Sequence, residues 1–566
     1  MTRPRPFAPM RRLLALVALF AIVFTACGDD GDSSAPSADA SASATTGSST
    51  SAAPKDLVVA WTGDLNSMDP PFSSVEWNRE LSVNVYEPLV QYKLAGAADG
   101  SLVWDGLAVA PGLAESWTVN GAAVTFKLRS GVKFYPSGNP LTADDVKYSF
   151  ERTVAVPGGF GKFNANLAGI FDPTKQIEVI DPLTVKITYT NATGTPILLP
   201  ASLPSMRFPQ FGILDSKAVK AKATADDPWA VAFLKENVVG TGPYYVSART
   251  AAKETVLETV PGYWGTQPAY SKVTLRVTGS ADIAALMKGG DVDLSAVGLT
   301  PRAFDDLSKS SFTVINQPIP NIVRADLALD EGPLANVKVR QAIAYAMPYD
   351  QILKVAFFGR GVRANSYINP QSPGVTKSFE KYTTDTAKAK ALLTEAGVSG
   401  GFDLPLFYDS GIVYNEDVAL LIKDALGAVG IKVTLNPQPT TQFAEQRTAR
   451  IAKKESSHKG MILQSGVIWL DDPDPNTDTW LKSTGTGNWT RYTNAAVDKL
   501  HADFRFEPDA TKRNDAYKQI QEMVATDVPL IPLVVTGRTV ALAKGITAMS
   551  FTADPHTRFW TLKPAG

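Results

Sequence analysis

Across 566 residues there is one cysteine, Cys27, and there are three histidines, His458, His501 and His556. A single thiol cannot close an intrachain disulfide, so packing alone must hold the fold. None of the histidines has a metal-ligand neighbour at helical or finger spacing, so no metal site is expected and each is read as an exposed polar residue. No Walker loop or dinucleotide fingerprint occurs, and no cofactor is implied. Pro157-Gly158-Gly159-Phe160-Gly161 is rich in glycine but lacks the Lys and Ser/Thr of a phosphate loop, and reads as a mobile loop. Neither sign of charge dominates: 55 Lys and Arg against 56 Asp and Glu leave a formal net charge of -1. That balance argues against nucleic acid and leaves a small molecule or a protein as partner. After Cys27 no apolar run reaches the ~20 residues that span a bilayer, so the folded part is expected outside the cytoplasmic membrane. No fixed-period repeat is visible, which argues against a solenoid.

What is present begins at the N-terminus. Arg3, Arg5, Arg11 and Arg12 form a basic head before the apolar stretch from Leu13 to Ala26, the length of a secretory signal core and too short for a spanning helix. The stretch Phe24-Thr25-Ala26-Cys27 places the only thiol where a signal peptidase would cut. It resembles the lipobox of bacterial lipoproteins, which implies a signal peptide over residues 1–26 and lipid attachment at Cys27. From Gly28 to about Pro54 the chain is Ser, Ala, Thr, Gly and Asp with almost nothing to bury, and reads as a disordered tether. Its random-coil span is about 30 Å.

Order is expected from Leu57-Val58-Val59-Ala60-Trp61, a continuous apolar run suited to a strand buried on both faces. Ser73 with Glu76 predicts a capping box at a helix carrying Leu81 and Val85, and Thr142 with Asp145 predicts a second at a helix carrying Val146 and Phe150. Alternation on both sides of Asn120-Gly121 predicts a hairpin. In the second half, helical spacing from Asn415 to Ala428 stops at Gly430 and gives way to the strand pattern Ile431 to Leu435. Asp509 to Ala525 repeats the helical pattern before apolar Leu530 to Val535. Strands alternating with helices imply an α/β layer structure in a chain long enough for two to four domains.

Several blocks, in order, are more specific. They include Pro111 to Trp117, Thr125 to Phe134 (TFKLRSGVKF), Leu141 to Arg152 (LTADDVKYSFER), Gly240-Thr241-Gly242-Pro243-Tyr244 and Tyr263-Trp264. Gly290 to Leu294, Pro333 to Ile352, Asp385 to Gly397 (DTAKAKALLTEAG), Asn494 to Leu500 and Pro529 to Leu533 follow. Together they resemble the family 5 extracellular solute-binding proteins, receptors of ABC importers that include dipeptide- and oligopeptide-binding proteins. The likeness runs from about Leu57 to near the C-terminus. It departs at Leu329-Asp330-Glu331-Gly332, where the family usually has an Asn.

The resemblance implies a two-lobed, periplasmic-binding-protein-like α/β fold of the type II, large three-domain variety, with mixed sheets and a hinge. Residues 55–97, 238–317 and 538–566 would form a discontinuous domain of lobe one, 98–237 a domain inserted into it, and 318–537 lobe two, with crossovers near Pro318 and Thr536. The acidic run Asp471 to Asp478 admits three readings: a calcium loop, which lacks the Gly and Glu such a loop needs, a plain Asp/Pro turn, or a ligand contact. The family favours the last, with Asp471 pairing with a peptide ammonium and Trp469 and Leu470 on the strand end before it. Ser74 and Val75 would supply the opposing backbone contact, and Trp489 is a further cleft candidate.

The expected function is a monomeric, lipid-anchored, non-enzymatic receptor on the outer face of the bacterial cytoplasmic membrane, at the cell surface or in the periplasm. It would capture peptides for an ABC permease and its ATPase subunits. The alternatives are a sensing or chaperone lipoprotein without a permease, and an importer receptor for an opine, oligosaccharide or nickel chelate. A hydrolase is disfavoured by the missing nucleophile.

Overall fold

The computed structural model describes residues 56–73, 75–467 and 470–565. The signal, Cys27, the tether, Ser74 and Trp469 lie outside the described residues. The strand Leu57–Trp61 sits inside a large mixed sheet, parallel to Lys272–Val277 on one side and to Leu294–Ser295 on the other. Its alternate residues serve two cores. Leu57, Val59 and Trp61 pack with Leu81, Leu257 and Leu275, while Ala60 packs on the opposite face with Ile283, Met287 and Leu307. Two buried faces are the reason the run is apolar throughout rather than alternating.

The same sheet continues through two long antiparallel strands, Thr313–Leu327 and Leu530–Leu542. Their register shifts between Pro318 and Asn321, opposite Gly537 and Thr536. On one side of that irregularity Leu542 and Ala541 pair with Leu294–Ser295. On the other, Asn321 to Leu327 pair with Met461–Val467, and the sheet runs on to Asp403–Asp409 and Lys432–Gln438. This further half is faced by the helices Val337–Ala346, Thr386–Glu395, Asn415–Gly427 and Ala510–Asp527, whose residues share one core with Val323, Leu406 and Leu463. A four-stranded antiparallel sheet, Ala114–Asn120, Ala123–Leu128, Thr184–Thr188 and Ile177–Asp181, covers a separate core around Phe126, Phe150 and Phe211.

Local sequence signals hold at most element starts. Asn120 pairs with Ala123 around Gly121, whose φ of 57° suits the turn. Thr142 and Asp145 form a reciprocal capping box on the helix Ala143–Ala155. Asn415–Gly427 buries Val418, Ala419, Ile422 and Leu426 along one stripe.

The Ser73–Glu76 capping box does not form. The helix Glu76–Val85 is capped at Val75 with no side-chain bond, because the Ser73 hydroxyl is engaged by Ser82 and its carbonyl accepts from Arg79 and Gln210. All three histidines are buried rather than exposed. His458 bonds Gln438 and stacks on Phe443, His501 bonds Asp474, and His556 lies 3.5 Å from Glu76. The segment Leu329-Asp330-Glu331-Gly332 ties two loops together: Asp330 accepts from the Ser456 amide and Glu331 pairs with Arg450.

Residues of the blocks that carry the resemblance contact elements distant in sequence. Arg152 forms a fully buried fork to Asp69, with both bonds at 2.6 Å. Glu87 accepts from the Tyr263 hydroxyl at 2.6 Å and the Trp264 indole at 2.8 Å. Gly240 and Gly242 lie against the end of the helix Glu76–Val85: a Cβ on Gly240 would sit 2.1 Å from the Val85 carbonyl oxygen. Asn494 donates to Asp527. These contacts seal joints between distant elements of the scaffold. Among the described residues no helix is long and apolar enough to cross a membrane.

Candidate functional site

The loop before the helix Glu76–Val85 is fixed backbone by backbone. Asp69 is held by Arg152, the Phe72 carbonyl accepts from Asn78, and the Ser73 carbonyl accepts from Arg79 and Gln210. Val75 therefore stands at a rigid helix start with Glu76 and Arg79 just beyond it. Burial pulls the Arg79 guanidinium down to about 10, against the raising charges of Glu76 and Asp554.

Facing this loop is the acidic run after the strand Met461–Val467. Asp472 takes a bidentate bond from Arg513 at 2.8 and 2.9 Å. Asp474 accepts from His501 and Tyr517 and lies 3.3 Å from Arg505. Burial would raise the Asp474 carboxyl, but the His501 hydrogen bond and the charges of Arg505, His501 and Arg513 outweigh it and hold the group well below the usual range. Asp478 pairs with Arg505 and Lys482. With these three carboxylates turned onto cationic or histidine side chains and Asn476 donating to the Tyr367 carbonyl, the spacing that mimics a calcium loop is spent on internal bonds.

Asp471 differs. It is 1% exposed, and no cationic side chain lies within ion-pair distance of it among the described residues. Its Oδ2 accepts from the Trp104 indole at 3.0 Å, and its Oδ1 accepts from Asn369. Burial raises its carboxyl above the usual range, against lowering by the Trp104 bond and the nearby Arg207 charge. Trp104 belongs to the strand Leu102–Pro111, which pairs with Val90–Gly96, so the bond joins the acidic run to an element of a different sheet. The neighbouring Leu470 goes further and is buried in the core around Phe126 and Phe150.

Two cavities of about 250 Å³ each flank the helix start. One is lined by Arg79, Phe160, Phe163, Asn164, Leu167, Phe208, Leu470, Pro475, Thr479, Trp480 and Trp489. The other borders the register shift of the long strands and includes Glu76, Phe304, Ile319, Asn321, Arg360, Tyr414 and Arg538. Of the residues expected from sequence, Leu470 and Trp489 line the first cavity, and Asp471 is adjacent in sequence. Val75 immediately precedes Glu76, which lines the second cavity, and Arg79 of the same helix lines the first. Trp489 carries Arg447 4.4 Å from its ring centre.

Trp104, Asn369, Phe160, Phe163, Asn164, Leu167, Arg79 and Trp480 escaped the sequence reading. Phe160, Phe163, Asn164 and Leu167 recur at i, i+3, i+4 and i+7, the spacing of any amphipathic helix, and nothing in that spacing tells a cavity face from a core face. The glycine-rich stretch before them is anchored rather than loose: the Phe160 amide donates to the Pro71 carbonyl, and a Cβ on Gly159 would meet that oxygen at 2.7 Å.

Comparison with known proteins gives the family and the fold. The family described as "Bacterial extracellular solute-binding proteins, family 5 Middle" matches residues 108–488. The dipeptide-binding protein of Escherichia coli (strain K12) is 26% identical over 503 residues, 84% of this chain and 88% of the relative. The glutathione-binding protein GsiB of Shigella dysenteriae serotype 1 (strain Sd197) is 26% identical over 537 residues, 90% and 94% of the two chains. Among solved structures, the periplasmic binding protein DppA from Helicobacter pylori in complex with peptide STSA superposes with a TM-score of 0.74 at 23% identity, covering 90% of this chain and 98% of that one. NikA from Brucella suis in complex with Fe(III)-EDTA gives 0.75 at 22%, covering 90% and 100%. The fold is thus the one expected from sequence, and the chain belongs to the family 5 bacterial extracellular solute-binding proteins.

Proposed function

We propose that this chain is the receptor of an ABC importer, holding a peptide between two lobes and presenting it to a membrane permease, with no bond made or broken on the receptor. The observation that carries the reading is Asp471, a buried carboxylate with no cationic side chain at ion-pair distance among the described residues, in a run whose other three aspartates each have a cationic or histidine partner. A carboxylate offers about four lone-pair sites, and Trp104 and Asn369 engage two of them. A peptide ammonium can therefore join this carboxylate without stripping its present partners, and would supply the missing positive charge in a charge-assisted bond. Val75 and the preceding backbone, with Ser74 and Trp469, supply main-chain contacts from the two sides, as in strand addition.

The lobes are residues 55–317 with 538–566, and 318–537. They close about the two long strands where their pairing shifts at Pro318 and Thr536, and ligand biases the open and closed populations. The relatives named for dipeptide and glutathione binding, and the neighbour holding peptide STSA, support the ligand class. ATP hydrolysis belongs to partner subunits. The chain works as a monomer, tethered through a diacylglycerol on Cys27.

Calorimetry of the full-length protein with matched free and N-acetylated peptides tests this. The free peptide binds, acetylation weakens it, and Asp471→Ala weakens the free form by at least about tenfold. Unchanged affinity in Asp471→Ala would remove that residue from the site.

A further inference from the structure

The cavity beside Asp471 has the wrong lining for a pocket indifferent to side chains. On one wall Phe160 and Phe163 project from one helix start, 48% and 39% exposed, in edge-to-face contact at 6.3 Å between centroids. On the other wall stand Trp480 and Trp489. Arg324 lies 3.7 Å from the centre of the Trp480 ring and Arg447 lies 4.4 Å from that of Trp489, so each indole is stacked on one face and fixed in place. These four aromatic rings and Phe208, kept around about 250 Å³ of space, leave apolar surface in contact with water, an arrangement that costs stability unless something apolar fills it. A second observation points to a ligand: Asn164, on the same helical face, is 4% exposed and its Nδ2 has no hydrogen-bond partner. A buried unpaired amide is costly alone and is satisfied by an acceptor placed in the cavity.

We infer that this cavity selects peptides carrying a bulky aromatic side chain at one of the two N-terminal residues, with Asn164 donating to a peptide carbonyl. The inference rests on the peptide reading above and adds the side-chain class. Position follows from chain geometry. Leu470 lines the cavity and is the immediate neighbour of Asp471. An ammonium held by Asp471 therefore brings the first or second side chain to the aromatic walls, since successive Cα atoms are about 3.8 Å apart. Aromatic rings of ligand and pocket then pack edge to face or offset, which discriminates against small and polar side chains.

The test is a calorimetric panel on the full-length protein: Phe-Ala, Trp-Ala, Ala-Phe and Ala-Trp against Ser-Ala and Ala-Ser, each also N-acetylated. At least one aromatic position is expected to bind about ten- to a hundredfold tighter than its serine counterpart. The double variant Phe160→Ala/Phe163→Ala, at two partly exposed positions, should erase that preference, bringing the aromatic peptides to within about threefold of their serine counterparts. Peptides that bind the wild type with equal affinity whatever the side chain would overturn the aromatic selection and leave the peptide reading standing. Failure of every free peptide to bind would overturn both. A preference that survives the double variant would also overturn the assignment to this cavity.

Discussion

At the scale of single residues, charge that is buried without a balancing partner marks where chemistry is still to be completed. Asp471 carries a carboxyl raised by burial, so in the free protein it holds its proton to higher pH than an exposed aspartate. Ammonium binding needs the ionised form. Affinity for an N-terminally free peptide should therefore fall as pH is lowered through that group's raised pKa, with net proton release on binding in the range where the free carboxyl is still protonated. Asp471→Asn should bind weakly and without this pH dependence, which calorimetry in buffers of different ionisation enthalpy would show.

Glu87 offers the corresponding case for stability. Burial pushes it up to about 7, against lowering by the Tyr263 and Trp264 hydrogen bonds. Its native pKa lies above the unfolded one, so its stabilising contribution is whole below about pH 4.5 and is lost as pH rises through about 7. Between about pH 5 and pH 8 the wild type should lose on the order of 3 kcal/mol that Glu87→Gln does not. Parallel urea melts of the two proteins at both pH values would measure the difference.

Elements here are placed by close approach as much as by propensity. Gly240 and Gly242 allow their strand-side loop to touch the last turn of the helix Glu76–Val85. In Gly240→Ala the added methyl meets the Val85 carbonyl oxygen and carbon and the Tyr86 ring. That overpacking should destabilise by about 1 to 3 kcal/mol, seen as a lower midpoint in thermal or urea unfolding. Gly262, with open space around its Cβ position but a φ of 70°, should lose less on the same change, about 1 kcal/mol. The misread start of the helix Glu76–Val85 belongs to this scale too. Ser73 and Glu76 have the right spacing for a box, yet tertiary partners claim the serine first.

For the whole molecule, two long strands carry the chain through one continuous sheet, and their pairing shifts in register between Pro318 and Asn321, opposite Gly537 and Thr536, and again between Val323 and Arg324. Bending concentrated there moves large bodies with few altered dihedrals. Small-angle scattering of the full-length protein should show a smaller radius of gyration with a tight-binding peptide than with its N-acetylated analogue, and one shape under both conditions would refute lobe closure. The proposed membrane attachment belongs to this scale as well. A diacyl anchor buries enough methylenes, at about 0.8 kcal/mol each, to hold the protein at a bilayer, so Cys27→Ser should move it from the membrane pellet to the supernatant on fractionation.

The sequence by itself settled whatever is local and periodic. The two-faced strand Leu57–Trp61, the hairpin at Gly121, the capping box at Thr142 and the helical stripe from Val418 to Leu426 follow from spacing and punctuation, because each is decided by neighbours a few positions away. Tertiary structure alone decided which polar groups are satisfied. His458, His501 and His556 look solvent-facing in the chain and are buried against partners it does not reveal. Asp472, Asp474 and Asp478 look equivalent to Asp471 until Arg513, His501 and Arg505 arrive to pair with them. The indole that bonds Asp471 lies 367 positions away. Hydrophobic period fixes the face a residue points to; which charge meets which is fixed only when distant elements close on each other, and the site is made of those meetings.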